Sequence, residues 1–417
     1  MRNYIALAVP FFFILIALEL WLARRRGVRT YRFNDVIVDL SSGTAQQITA
    51  VFIGAGLVAI YAGLFELAGR AGLPRLAADS IWTWLFAFVL VDFKYYWWHR
   101  LSHEVNILWA AHVVHHSSED YNLAVALRQS VTTLITTLPF ALPLAVLGIP
   151  PLVFVTIESF STLYQFWIHT ELVGKLGWFE RIFNTPAQHR VHHAVNPQYL
   201  DKNYAATLCI WDRLFGTFEE EVEPPVFGLV HPLGNFNPLW AQVHYYVELW
   251  QMAKAAPRAR DKLLAWVKGP LWRPEGMPPC PAPPEVTRET RRKYQPPLGD
   301  SMRGYLWLQL FLTMTVAFFL MLFQNEWPRE LLLGLGALVA LSLAVWGGLL
   351  ELRGWAVPLE LIRLLLLGAL AFYFLSPRLA LPLLALLVAA AIAPQLALLW
   401  RSRAVAQPLA GQGVAVD

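Results

Sequence analysis

Seven apolar runs, each long enough to cross a bilayer, are the dominant feature of this chain of 417 residues. About 20 apolar residues span the hydrocarbon core as a helix, which pairs all of its own backbone polar groups. We therefore predict an all-α, polytopic integral membrane protein. Its composition agrees, since 57% of the residues are hydrophobic and only 15% are charged. The seven predicted spans are residues 4–23, 45–69, 80–98, 303–323, 330–350, 356–376 and 379–400.

An eighth apolar stretch, residues 130–168, is interrupted by Gly148, Pro150 and Pro151. It predicts a helical hairpin that enters and leaves the membrane on the same side. The first run, Tyr4 to Ala23, is longer than a signal peptide and lacks a small-residue cleavage site. We expect it to be retained as a membrane helix.

Arginine residues follow both the first and the last predicted span. Positive charge beside a membrane helix marks the cytoplasmic side. Nine crossings, with the hairpin counted as two, then place the N-terminus outside and the C-terminus inside. The sequence thus predicts a multi-pass protein whose histidine-rich region lies at the cytoplasmic face. The arginines concerned are Arg24, Arg25, Arg26, Arg29, Arg32, Arg401 and Arg403.

The order of the segments predicts four regions. Residues 1–33 form a membrane helix and a basic turn, and residues 34–268 form a catalytic region. A Pro-rich linker at 269–302 leads to a C-terminal module of four helices and a tail at 303–417. We expect this module to be structural and lipid-facing, because it shows little charge near the centres of its helices. A separate interaction or transport module is the alternative.

Nine of the eleven histidines lie between His99 and His193. Residues i, i+3 and i+4 of a helix share one face, so each cluster can direct two or three imidazoles to one point. His231 and His244 lie outside the clusters and are not predicted to bind metal. The predicted ligands form HxxxH, HxxHH, a lone histidine and a second HxxHH, whose helix Pro186 can open: His99, His103, His112, His115, His116, His169, His189, His192 and His193.

This number of imidazoles exceeds the needs of one metal ion and predicts two metals with open positions for oxygen or water. Imidazole suits iron, copper, nickel and zinc. Carboxylates near the histidines could orient the rings, although each is more typical of a surface or capping residue. The carboxylates within sequence reach are Asp92, Glu104, Glu119, Asp120, Glu171 and Asp201.

Several other kinds of site fit poorly. The zinc motif HExxH is absent, because Arg100 follows His99, and the two cysteines, Cys209 and Cys280, form no CxxC pair. The Glu-x-x-His pairs of carboxylate-bridged di-iron bundles are missing at the clusters. The net charge of +4 lies beside apolar segments and does not indicate a nucleic-acid partner. A membrane metal transporter or sensor stays possible, but its ligands would lie near the bilayer midplane.

The residues between Asn34 and Phe218 resemble the fatty acid hydroxylase/sterol desaturase superfamily of membrane non-haem di-iron oxygenases, most closely its alkylglycerol monooxygenase branch. Beyond the histidines, the resemblance rests on these segments: Trp98-His99-Arg100, His115-His116-Ser117-Ser118, Tyr121-Asn122, Ala126-x-Arg128-x-Ser130, Trp167-x-His169-Thr170-Glu171, Asn184-Thr185-Pro186, His189-Arg190-Val191-His192-His193, Asp201-Lys202-Asn203-Tyr204 and Ile210-Trp211-Asp212-Arg213-Leu214-Phe215-Gly216-Thr217-Phe218.

The resemblance implies two iron ions that activate O₂ and hydroxylate a lipid C–H bond. In the alkylglycerol branch the attacked carbon adjoins an ether oxygen, so the product collapses to an aldehyde and a glycerol derivative. A reduced pterin supplies the electrons there, and this chain carries no nucleotide or haem-attachment motif of its own. The partners would be a membrane lipid, O₂ and an external electron donor. The alternative substrates are a sterol, a carotenoid or a fatty acyl chain.

One position departs from the superfamily pattern. Some of its hydroxylases carry a second histidine four residues after the lone one, where this chain has Val173. Gln165 or a water molecule could complete that ligand shell. The aromatic residues 95–98 and Trp167 could line a lipid channel, and an interfacial aromatic belt is the equally favoured alternative.

Overall fold

The computed structural model describes residues 4–374, and the regular structure within this range is helical, with no β-strand. Two isolated backbone bridges, Phe183 with Leu208 and Ala194 with Phe227, are the only β-type pairings in it. The all-α prediction is confirmed for this part of the chain. The helices are α1 (Tyr4–Arg25), α2 (Phe33–Arg70), α3 (Ile81–Glu104), α4 (Asn106–His116), α5 (Thr133–Thr136), α6 (Leu138–Val146), α7 (Pro151–Trp167), α8 (Pro186–His192), α9 (Ile210–Leu214), α10 (Pro238–Ala255), α11 (Ala259–Val267), α12 (Asp300–Leu322), α13 (Arg329–Leu350) and α14 (Ala356–Phe374).

Four of the described helices, α1, α2, α12 and α13, are long and apolar enough to cross a membrane. They coincide with four of the seven predicted spans. The predicted helix at 379–400 lies outside the described residues. The total of seven spans, and the side of the membrane that each end faces, therefore stay predictions.

Helix α2 begins at Phe33, well before the start predicted at residue 45. Its first turns carry polar residues, which place them below the hydropathy expected of a membrane span. Asp35 and Asp39 are nevertheless buried, and Asp39 accepts a hydrogen bond from Arg128 at 2.9 Å. The predicted span 45–69 lies within this longer helix, whose first turns pack against the polar, histidine-bearing part of the protein.

The predicted hairpin is present as α5 and α6, a tight turn and α7. Gly148 forms the turn with a φ of 83°, and a Cβ there would lie 2.1 Å from the carbonyl oxygen of Pro74. Only glycine fits this conformation and this close approach. The Tyr61 hydroxyl of α2 donates to the carbonyl of the neighbouring Ile149 at 3.0 Å. The turn is thereby held against α2, and α7 delivers His169 just beyond its end.

Helices α12 and α13 pack against α2, and α14 packs against α13, within one apolar cluster that includes Ile37, Leu306 and Trp346. Two charged residues nevertheless lie in the first half of α14. Glu360 and Arg363 of α14 are fully buried and form an ion pair at 2.6 Å. The Tyr305 hydroxyl donates to Glu360, and Arg363 donates to Gln309 and Ser342. Contacts with both neighbouring helices explain how α14 accommodates these charges.

The Pro-rich stretch before α12 is irregular, as the composition predicts. It nevertheless makes specific contacts with the histidine-bearing region. Arg288 pairs with Glu171 at 2.5 Å, and Lys293 pairs with Asp120 at 2.6 Å. The backbone N–H of Tyr294 donates to Glu119. The stretch therefore lies along the region that the histidines occupy, while the four region boundaries stay predictions.

Candidate metal centre

Three helices and one helix end bring the nine predicted histidines together. Helix α3 carries His99 and His103 one turn apart near its C-terminus. Helix α4 carries the first HxxHH motif, and α8 carries the second and begins at Pro186, as predicted. His169 follows the C-terminal cap of α7. All nine side chains are buried except that of His103, which is partly exposed.

The histidines form two groups, the only such metal-competent clusters within residues 4–374. In each group one nitrogen of every ring lies within 4.8 Å of its counterparts in the other rings. Five rings make the first group and four make the second. The group of five contains His99, His103, His112, His116 and His192, and the group of four contains His115, His169, His189 and His193.

The two groups adjoin each other. The rings of His116 and His193, which belong to different groups, are stacked with their centroids 4.4 Å apart. Those of His112 and His115 are 5.4 Å apart. Two ions held in the two groups would therefore be neighbours within one site.

Backbone carbonyls orient four of the rings. The Nδ1 atoms of these histidines lie 2.7 to 3.1 Å from carbonyl oxygens, which can only accept a hydrogen bond. Each of these rings therefore carries its proton on Nδ1 and leaves a lone pair on Nε2. The pairs are His99 with Tyr204, His115 with Arg128, His169 with Gln165, and His192 with Lys202.

The Nε2 atoms of these four rings face other histidine nitrogens or have no partner, which is an arrangement that fits a cation. The Nε2 of His192 is buried without a hydrogen-bond partner. The Nε2 atoms of His115 and His169 lie 3.2 Å apart, although both bear lone pairs. Facing lone pairs and orphaned buried acceptors raise the free energy of the fold unless a positive ion lies between them. The donor set thus fits metal ions that prefer imidazole.

Burial keeps the imidazoles neutral, as metal ligation requires. It lowers the pKa of His115 to about 4 and that of His192 to about 3, because a charged ring is poorly solvated inside the protein. Both rings are therefore uncharged at neutral pH, with their lone pairs available.

Carboxylates act on this site through the backbone. None of the described carboxylates hydrogen-bonds to a histidine ring, so direct orientation by a carboxylate is absent from this part of the chain. Asp92 accepts the N–H groups of Thr207 and Leu208, and Asp212 accepts those of Tyr204 and Ala205. Burial raises the pKa of Asp212 to about 6. The two aspartates hold the loop whose Tyr204 carbonyl orients His99.

The other carboxylates within sequence reach have different partners. Glu104 pairs with Arg100, and Glu119 and Asp120 both pair with Arg32. Sequence reasoning missed Asp35, Asp39, Asp212 and Glu19, which are buried around the site. Their positions next to or within apolar runs, where a charge is costly, were the available signal.

Gln165 and Val173 contribute through their backbones. The Gln165 carbonyl accepts from His169, while its side chain donates to the Ser161 carbonyl at 3.2 Å. The Val173 carbonyl accepts from Arg190 at 2.7 Å. His244 bonds to the Ala241 carbonyl. His231 is exposed, and neither of these two histidines belongs to a group.

Aromatic rings enclose the two groups. The ring of Tyr95 lies 5.2 Å from His99, and that of Trp98 lies 5.5 Å from His112. Trp109 lies 4.9 Å from His103, and Tyr121 lies 5.2 Å from His193. These rings give both groups partly apolar surroundings.

Comparison of the sequence with known proteins identifies relatives of this chain. Residues 84–217 match the fatty acid hydroxylase family model. Alkylglycerol monooxygenase of Danio rerio is 42% identical over 382 residues, which cover 90% of this chain and 84% of that protein. The Homo sapiens protein of the same name is 39% identical over 87% of this chain and 81% of its own length.

A more distant relative is the ornithine lipid hydroxylase OlsE of Rhizobium tropici. It is 31% identical over 202 residues, which cover 46% of this chain and 59% of that protein. No solved structure gives a significant match.

Proposed function

The chain belongs to the alkylglycerol monooxygenase family and is an oxygenase, and from this premise we propose that it cleaves the ether bond of alkylglycerol lipids with O₂. The observation that carries the proposal is the pair of adjoining, buried histidine groups. Imidazole-only sites with open positions suit redox-active iron, and the aromatic enclosure suits a lipid tail.

In the proposed enzyme each histidine group holds one iron ion. His99, His103, His112, His116 and His192 hold one, and His115, His169, His189 and His193 hold the other. The unpartnered lone pair of His192 and the facing lone pairs of His115 and His169 support this assignment. The bound ions would supply the activation of O₂ for insertion into a C–H bond.

The residues of the chain orient the ligand rings and shield them from water. Carbonyls of Tyr204, Lys202, Gln165 and Arg128 fix four ligand rings before the ions bind, so little reorganisation accompanies binding. Tyr95 and Trp98 shield the groups from water. Hydroxylation of the carbon beside the ether oxygen gives a hemiacetal, which releases an aldehyde and a glycerol derivative.

Each turnover also needs two electrons and two protons to convert the second oxygen atom of O₂ into water. We infer an external donor, a reduced pterin in the first instance. We also infer a cytoplasmic site, since Arg24 and Arg25 end helix α1, Arg26, Arg29 and Arg32 follow it, and such positive charge marks that side of the membrane. Seven spans and the hairpin then give nine crossings.

The test supplies a chain-labelled alkylglycerol, O₂ and reduced pterin to membranes that contain the protein. We expect labelled fatty aldehyde from the wild type and from His244→Ala, and none from His112→Ala or His192→Ala. A hydroxylated lipid whose ether bond is intact would instead support a sterol- or acyl-type hydroxylase. Tight metal binding without any lipid oxidation would point to a transporter or sensor and would overturn the proposal.

A further inference from the structure

The loop after α8 holds two residues in an unusual backbone conformation. Asp201 and Asn203 have φ values of 59° and 55°, and Leu352 is the only other non-glycine residue with positive φ within residues 4–374. The left-handed conformation is unfavourable for an ordinary L-residue and less so for Asn and Asp. Because two such residues flank Lys202, the surrounding structure must hold this backbone in place.

The carbonyls that this backbone presents serve one histidine group. The Lys202 carbonyl accepts from Nδ1 of His192 at 2.9 Å, and the Tyr204 carbonyl accepts from Nδ1 of His99 at 2.7 Å. Both rings belong to the group of five. A loop of three residues thus fixes the tautomer and the direction of two rings that come from different helices.

Asn203 anchors the loop through its buried side chain. Its Nδ2 donates to the carbonyls of Gln188 and Glu219, at 3.0 and 2.8 Å, and its Oδ1 accepts the N–H of Glu219. Its own N–H donates to the Thr217 carbonyl. Gln188 adjoins His189 in α8, so the anchor reaches the helix that carries the second HxxHH motif.

Asp201 has a different part in the loop. Asp201 is exposed, in contrast to the buried Asn203. What the loop requires at position 201 is therefore the left-handed backbone, which glycine adopts without strain and a β-branched residue adopts only at high cost.

We propose that Asp201 and Asn203 are positioning residues for the histidine group of five: their left-handed backbones aim the Lys202 and Tyr204 carbonyls at His192 and His99, whose Nε2 atoms are thereby presented to the metal. The inference rests on the proposed function, because it assumes that this group binds a metal ion. It assigns no group to the reacting atoms, and it predicts an effect on metal binding that precedes any oxidation.

The experiment titrates the purified, metal-free, full-length protein with cobalt(II), whose visible absorption reports ligand number and geometry. We expect Asp201→Gly to bind cobalt within about twofold of the wild type. We expect Asp201→Val to weaken binding at one of the two positions about 10- to 100-fold, as loss of an orienting partner does at other metal sites. Asn203→Gly keeps the left-handed backbone but removes the side-chain anchor, and we expect it to lose an intermediate amount of cobalt affinity. Asn203→Ala is expected to lose more.

A double-variant comparison separates positioning from misfolding. In the His192→Ala background, Asp201→Val is expected to weaken cobalt binding less than in the wild type, because one of the two rings that the loop positions is gone. Equal losses in both backgrounds, or wild-type affinity in Asp201→Val, would overturn the inference. A chain that binds cobalt as predicted but oxidises no lipid would overturn the proposed function alone. A wild type that binds no cobalt would overturn both.

Discussion

His115 and His192 are the middle histidines of the two HxxHH motifs. His115 belongs to the same group as His189 and His193 of the second motif, and His192 belongs to the same group as His112 and His116 of the first. The ring of His115 lies 4.5 Å from His193, and that of His192 lies 4.8 Å from His116. The helices α4 and α8 therefore exchange one ligand each. Neither group can form fully unless both helices are in place, which couples the two histidine groups to one fold.

The first prediction concerns the buried ion pair between Asp39 and Arg128, at 2.9 Å. The Arg128 carbonyl orients His115, so this pair supports the group of four. Asp39→Ala leaves a buried guanidinium without its counter-ion, and we expect it to lower the free energy of unfolding by about 3–5 kcal/mol. Chemical unfolding in detergent, followed by tryptophan fluorescence, measures this loss.

The matched control is the exposed pair of Glu66 and Arg75 at 2.6 Å. Glu66→Ala removes a solvent-screened interaction and is expected to cost about 0–1 kcal/mol. Similar losses in the free energy of unfolding for the two variants would show that burial does not make the Asp39–Arg128 pair more important for stability than the exposed pair.

The second prediction addresses the pair Glu360 and Arg363 in the C-terminal helices. Arg363→Met leaves Glu360 buried without a positive partner, and we expect a loss of about 3–5 kcal/mol in stability. The double variant Glu360→Leu, Arg363→Met removes both charges and is expected to recover most of that loss. Thermal unfolding measures both, with Arg303→Met, a partly exposed residue of α12 that pairs with the exposed Asp300, as the control.

Lipid oxidation by the same double variant tests the role of the module. If the C-terminal helices are structural, the stable double variant retains wild-type turnover. A stable protein that no longer oxidises lipid would show that the charged pair takes part in function.

The third prediction concerns Glu19, which connects α1 to the site. Its carboxylate accepts from the hydroxyls of Tyr31 and Thr170 and from the N–H of Leu123 at 2.8 Å. Thr170 follows His169 directly. Glu19→Leu leaves these donors unpaired, at about 1–3 kcal/mol for each buried one, and we expect faster hydrogen exchange around residues 168–173.

Leu18→Ala, on the exposed side of the same helix, is the control and should leave that exchange unchanged. Unchanged exchange in Glu19→Leu as well would mean that α1 does not support His169.

The fourth prediction is that metal stabilises the fold. A ligand that binds only the native state at 100 times its Kd adds about 2.7 kcal/mol. We therefore expect anaerobic addition of iron(II) to metal-free protein to raise its Tm by several degrees, and chelation to reverse the rise. The double variant His112→Ala, His189→Ala loses one ligand from each group and should show a much smaller rise than His244→Ala.

Helical periodicity selected eight of the nine histidines, and the position of His169 at the end of the apolar hairpin added the ninth. The breaks at Gly148 and Pro186 were enough to locate the hairpin turn and the start of α8. Residues four apart lie on one face of any helix, so the pairing of His112 with His116 and of His189 with His193 was predictable. The division into two groups could not be predicted, because the placement of His115 and His192 depends on how α4 and α8 pack.

The orienting groups were hidden for a different reason. They are backbone carbonyls, such as those of Lys202 and Tyr204, and every residue carries one. The side chains around them are no guide until the loop conformation is known. Hydropathy located only the apolar part of α2, because the polar first turns, with Asp35 and Asp39, are buried against other polar groups.

The most direct test of the central claim is the metal content of the purified full-length protein after anaerobic, iron-replete expression. The account predicts about two irons per chain for the wild type and for His244→Ala. It predicts a loss confined to the group of four in His115→Ala and to the group of five in His192→Ala, distinguished by Mössbauer spectra. One iron per chain, a stoichiometric zinc-only site, or identical spectral losses in the two variants would contradict it.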